Sequence, residues 1–147
     1  DDRDRLQVIL FSDEMITLTE LSPLGEKRQE VRTRVSGVIE GGDTKLYSAV
    51  EFAYGKLETK GDPDHIRAIV VLTDGQDTAS PITLPELNAR IGAQSESGDA
   101  TKIFTIAFGR AADREILRQI AEITGGRQYD SDPETIGEIY AEIATFF

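Results

Sequence analysis

The sequence predicts a three-layer, Rossmann-like α/β fold: a mostly parallel sheet with helices on both faces and one antiparallel edge strand. Three observations carry this expectation. The runs "LQVILF", "IRAIVVLT" and "KIFTIAFG" are almost wholly apolar, as strands covered on both faces are. Segments with apolar residues at helical spacing separate them, and such alternation implies right-handed crossovers into a parallel sheet. The segment "MITLTEL" instead alternates, with Ile16 and Leu18 on one side and Thr17 and Thr19 on the other. It reads as a half-exposed strand returning by a short turn, hence antiparallel.

Taken in order, Leu6 to Phe11 is the first buried-type strand, and Ser12-Asp13-Glu14 turns the chain into the alternating one. Leu24, Val31, Val35 and Val38 recur at helical spacing until Gly41-Gly42 stops the helix. A second helix opens at Thr44 with Leu46, Ala49, Val50, Ala53 and Leu57 on one side. "GDPDH" breaks it before the strand Ile66 to Thr73. Thr83 and Glu86 form a capping box ahead of Leu84, Leu87 and Ile91. After the strand "KIFTIAFG", Asp113 caps a helix striped by Ile116, Leu117, Ile120 and Ala121, which Gly125-Gly126 ends. "RQYD" is a short strand, and Asp132-Pro133 supplies an N-cap and an N1 proline to a last helix bearing Ile136, Ile139, Tyr140 and Ile143.

The length of 147 residues suits one domain over 1–147 with one core, and 39% apolar residues is ordinary for a globular chain. Twenty-seven acids against 16 bases give a net charge of −11, which repels phosphate backbones and anionic membranes. Nucleic acid and lipid are therefore poor partners, and small cations or basic protein patches better ones. With no cysteine there is no disulfide frame or thiol metal site. No apolar run approaches the ~20 residues of a membrane span.

The chemistry concentrates where "VVLTDGQDT" drives an apolar strand into Asp74, Gly75 and Asp77. One reading makes Asp74-Gly75 a turn and lets Asp77 satisfy backbone donors. A phosphotransferase or hydrolase using Asp74 is another, since "TDGQDT" resembles the Asp-x-Asp-Gly-Thr loop of haloacid dehalogenases. That chemistry needs a nucleophilic carboxylate two positions earlier, where this chain has Leu72. A third joins Asp74 to "GGDTKLYSAV", whose Thr44 hydroxyl is suited to a hard cation; a threonine there can cap the helix and line a metal site at once, so its identity alone does not decide.

Together "GGDTKL" and "LTDG" resemble the von Willebrand factor type A family, and "IFTIAFG" and "ITGGRQYDSD" come after them in the same order. The resemblance implies a protein-binding or adhesion module, not an enzyme. In that family magnesium or manganese is held in a metal ion-dependent adhesion site, and an acidic side chain of the partner completes the ion's shell. Thr44 and Asp74 match two elements of that site, with Asp43 and Asp77 beside them as outer acceptors. Many bacterial relatives of this appearance are extracytoplasmic, and the same is expected here. His65, the one histidine, lies in a turn and receives no role. Glu115, Glu122, Glu134, Glu138 and Glu142 read as solvated helix faces.

The family's Asp-x-Ser-x-Ser loop does not occur, since no aspartate has serine two residues on. By resemblance the first strand, the first helix and three metal ligands are missing at the N-terminal side. The cation site is therefore expected to be weak or empty in this chain, which leaves a metal-free structural scaffold as a further reading. The missing strand lies centrally in the family, between those matching Leu6–Phe11 and Ile66–Thr73. Its loss would leave two open edges, to be closed by direct pairing of these strands or by association of chains.

Overall fold

The computed structural model describes residues 2–37, 42–62, 64–95 and 101–146. Val38, Gly41, Pro63 and Phe147 lie outside them. The elements are β1 (Arg5–Phe11), β2 (Met15–Pro23), α1 (Leu24–Ser36), α2 (Leu46–Lys60), β3 (Ala68–Thr73), α3 (Leu84–Ser95), β4 (Lys102–Phe108), α4 (Arg114–Glu122), β5 (Gln128–Ser131) and α5 (Ile136–Ile143). A short 3-10 turn, Ala144–Phe146, ends the described chain.

Strands β3, β4 and β5 form a parallel sheet in that order, with Ala68 to Thr73 paired in step with Lys102 to Ala107. β4 sits in the middle and is buried on both faces. Ile103, Thr105 and Ala107 point to one side, where Leu46, Val50 and Tyr54 of α2, Leu87 and Ile91 of α3, and Leu117 and Ile120 of α4 close over them. Phe104 and Ile106 point to the other, under Ile136, Ile139 and Ile143 of α5, and Phe146 tilts onto Phe104 with ring centroids 5.2 Å apart. The one polar side chain inside the strand, Thr105, is satisfied by donating to the Leu117 carbonyl at 2.9 Å. After α4 the chain returns so closely that a Cβ on Gly126 would lie 1.9 Å from the Ile103 carbonyl oxygen, which fixes glycine there.

Local signals for the helix starts hold where side chains reach backbone. Glu86 accepts from the Thr83 amide at 2.7 Å, and the Glu86 amide donates back to the Thr83 hydroxyl at 3.4 Å. Asp113 accepts from the Ile116 amide at 3.1 Å. Asp132 takes the Glu134 and Thr135 amides, both at 2.9 Å, but this stabilises a turn and α5 begins only at Ile136.

Four expectations need correction. β1 and β2 pair antiparallel as a sheet of their own, and β1 does not pair with β3 among the described residues. Neither β1 nor β3 is covered on both faces: Leu6 to Phe11 are only part-buried or exposed, and on β3 the buried Ile69, Val71 and Thr73 alternate with exposed Val70 and Leu72. On β3 the side bearing Val70 and Leu72 is left toward water. Val35 and Tyr140, placed on apolar stripes from spacing alone, are exposed. Tyr54, not on the stripe read for α2, is buried at its centre.

Ile106→Ala should cost about 2–5 kcal/mol in urea unfolding, whereas Val70→Ala on the open face should cost about 0.5 kcal/mol. Glu86 is held below the ordinary glutamate range by the Thr83 amide, then by its hydroxyl. A depressed folded pKa stabilises above the unfolded value, and that contribution is lost as pH falls through the folded one. An NMR titration should therefore show Glu86 protonating at lower pH in the native chain than in a Thr83→Ala variant.

Candidate functional site

Three loops converge where β1 and β3 end and α2 begins. The Lys45 amide donates to the Ser12 carbonyl at 3.0 Å, and the Lys45 ammonium donates to the Asp13 carbonyl. Gly42 lies at φ +91°, and a Cβ there would meet the Asp13 carboxylate at 2.6 Å. On the other side the Thr44 amide donates to the Thr78 hydroxyl at 2.8 Å, while the Thr78 and Ala79 amides donate to the Thr44 carbonyl at 2.8 and 3.2 Å. The Thr44 hydroxyl lies 3.7 Å from where a Cβ on Gly75 would stand, so the fold brings Thr44 beside the Asp74-Gly75 pair.

Thr44 is not the cap of its helix. Lys45 holds the N-cap position of α2 and makes no side-chain cap bond. The orphan amides of the first turn are satisfied from the neighbouring loop. Asp77 accepts from the Tyr47 amide at 3.1 Å, and the Ser80 hydroxyl accepts from the Ser48 amide at 3.1 Å. Asp77 and Ser80 are locked together, with the Ser80 hydroxyl donating at 2.6 Å and its amide at 3.3 Å. Burial, and then the Asp77 and Asp113 charges, push the nearby Tyr47 phenol above its ordinary range and keep it neutral. Sequence reasoning did not single out Ser80 or Thr78. The signal that points to Ser80 is its place three residues after Asp77, the spacing of a side-chain-to-backbone turn.

Asp74 contrasts with Asp77. The strand-end turn is closed by the buried Thr73, whose hydroxyl accepts the Gly75 amide at 3.2 Å. Asp74 is exposed and takes no hydrogen bond or ion pair from the described residues. The turn reading therefore fits Thr73 and Asp77, and leaves Asp74 without a structural task.

The remaining residues fall where solvent claims them. Asp43 is exposed. His65 pairs with Asp62 at 3.1 Å in an exposed turn. Glu115 and Glu122 flank Arg118, and Glu142 meets Arg127. Two shallow grooves lie away from these loops. One, ≈ 250 Å³, is edged by Glu51, Tyr54 and Arg90 between α2 and α3. The other, ≈ 310 Å³, is edged by Thr17, Glu20 and Lys27 between β2 and α1. Among the described residues no three His, Cys, Asp or Glu side chains come together as metal ligands. One carboxylate and one hydroxyl fall well short of the six oxygens magnesium takes, so Thr44 and Asp74 do not by themselves fit that ion.

Solved structures share this fold. A von Willebrand factor type A protein from Catenulispora acidiphila superposes with a TM-score of 0.79 at 22% identity, over 97% of this chain and 33% of that one. Proximal thread matrix protein 1 from the mussel byssus, described with a zinc-occupied MIDAS motif, gives 0.68 at 15% identity, over 97% of this chain and 34% of its own. An aerotolerance-related membrane protein from Bacteroides fragilis gives 0.68 at 16%, over 99% and 81%. This chain thus spans about a third of the first two, and at such identities the likeness speaks for the fold alone. No curated protein matches the sequence. The model of the von Willebrand factor type A domain matches residues 1–142, and the chain belongs to that family.

Proposed function

We propose that this chain is a protein-binding module whose recognition centre is the loop cluster around Thr44 and Asp74. The family is in general one of non-enzymatic interaction modules. The observation that carries the reading is the contrast between two neighbouring acids: Asp77 is used up in holding the loops, while Asp74 stands exposed with no partner among the described residues. A carboxylate without a structural task at a strand's carboxyl end sits where α/β sheets bind ligands. In a complete site these two residues would be this chain's share of a magnesium or manganese shell, joined by further oxygens and by an acid of the partner protein. The mussel neighbour's occupied motif supports a cation at this place in the fold. One neighbour is described as a membrane protein, and an extracytoplasmic setting is the one we propose. No helix among the described residues is long and apolar enough to cross a membrane.

The two-donor count favours a second reading, a scaffold that binds its partner without metal. An enzyme using Asp74 is disfavoured, because the position such a nucleophile needs is Leu72, an apolar side chain on the open face of β3.

Titration with manganese by calorimetry separates these. This chain should bind only weakly, without saturating below about 1 mM, and Asp74→Ala should remove what binding there is. Saturable micromolar binding would overturn the incomplete site. Turnover of a generic phosphate ester, lost in Asp74→Ala, would overturn the binding module altogether. The same two acids differ in stability. Asp77→Ala should cost about 1–3 kcal/mol by leaving the Tyr47 amide unsatisfied, and Asp74→Ala should stay within about 0.5 kcal/mol in urea unfolding.

A further inference from the structure

Asp74 is the one aspartate in the chain followed by glycine. In such a pair the next amide nitrogen and the aspartate carboxyl meet within one turn, so attack of one on the other is intramolecular, and no Cβ obstructs it. Both groups are available here. The Asp74 carboxyl is exposed and takes no hydrogen bond or ion pair from the described residues. Gly75 stands clear of its surroundings: of the described residues only the Thr44 hydroxyl comes within 4 Å of where a Cβ would stand, at 3.7 Å. Among the described residues the Gly75 amide donates only to the Thr73 hydroxyl, at 3.2 Å.

The other candidates for this chemistry among the described residues are restrained. Asp77 accepts from the Tyr47 amide and from the Ser80 hydroxyl and amide, and the next amide along, that of Thr78, donates to the Thr44 carbonyl. After Asp43 the Thr44 amide is bound to the Thr78 hydroxyl at 2.8 Å. Asp130 lies on β5 and pairs with Arg114 at 2.6 Å. Asp62 and Asp132 precede prolines, which have no N–H to give up. The one asparagine, Asn88, lies inside α3.

We propose that Asp74-Gly75 is a self-modification site, at which the chain converts its own exposed aspartate into isoaspartate. The Gly75 nitrogen bonds to the side-chain carboxyl carbon of Asp74. The carbon–hydroxyl bond of that carboxyl breaks, and the hydroxyl leaves with the amide proton as water. Water then opens the resulting succinimide. Addition at the side-chain carbon restores aspartate, whereas addition at the main-chain carbon gives isoaspartate, so the mass of the chain is unchanged and water is the only co-reactant. In the product the main chain runs through Cβ and Cγ and is longer by one carbon, and the carboxylate sits directly on Cα. Because the proposed recognition centre depends on where this carboxylate stands, the conversion acts as a timer on binding. That consequence rests on the reading of Asp74 as a recognition residue, and the conversion itself does not.

The test is incubation of the whole chain in neutral heavy-oxygen water with a chelator, then proteolysis in ordinary water and mass spectrometry of each aspartate-bearing peptide. A synthetic peptide with the sequence Leu72 to Thr78 supplies the unhindered rate. The expected result is heavy oxygen and isoaspartate at Asp74, formed within about tenfold of the peptide's rate and about tenfold or more faster than at any other aspartate of the chain. Gly75→Ala should slow the conversion about tenfold or more. Asp74→Glu keeps the charge but needs a larger ring, and should abolish it. Label spread evenly over the aspartates, a rate more than about tenfold below the peptide's, or an undiminished rate in either variant would overturn the proposal. Excess manganese in place of the chelator separates this inference from the reading of the site. Coordination of the carboxylate slows the conversion, and an unchanged rate would overturn Asp74 as a cation ligand while the modification stands.

Discussion

The structure depends on β4 being paired on both edges and packed on both faces. A parallel strand can be satisfied only when helices cover both sides, and here the alternation of Ile103, Thr105 and Ala107 with Phe104 and Ile106 sends successive side chains into two different cores. One core takes three helices, the other takes α5 alone. Because of that inequality β3, next to β4, shares the three-helix core in full but only the margin of the other. The fold is therefore well determined from β3 to α5 and progressively less enclosed toward β1.

The loop cluster is a consequence of where α2 starts. Its first-turn amides have no side-chain cap of their own and face the end of β3. Supplying the acceptors from Asp77 and Ser80 ties the β3–α3 loop to the α2 N-terminus. The cross-bonds between Thr44 and Thr78 then fix the segment before α2 against the same loop. Asp74 is left at the crest of this frame because Thr73, not Asp74, closes the turn beneath it. Rigid backbone on three sides and one uncommitted carboxylate is the kind of preorganisation that recognition sites need, since little entropy remains to be lost when a ligand arrives.

How much of this is legible in the sequence depends on how local the cause is. The capping box at Thr83 and Glu86, the Asp113 cap and the stripe of Leu117, Ile120 and Ala121 are written within a few residues and can be read there. The pairing of Thr44 with the Asp74 loop is reached only through two family-like motifs, and the structure places them side by side. Burial of β1 and β3 is misjudged because composition reports what a strand is suited to, not what lies against it. Val70 and Leu72 have the residue types of a covered strand and lack the cover. The start of α5 is misplaced for the opposite reason: Asp132 makes every bond a cap would make, but to a turn that precedes the helix.

This mismatch between composition and cover is itself physical evidence. An edge strand facing water is usually blunted by charge, proline or a bulge at its exposed positions. β3 carries Val70 and Leu72 there, with no charge in six residues. β1 does have register irregularities against β2, and of its apolar residues Leu6 is exposed. Of the acids that give this chain its net charge of −11, the described strands carry only Glu20 on β2 and Asp130 on β5, and β1 and β3 carry none.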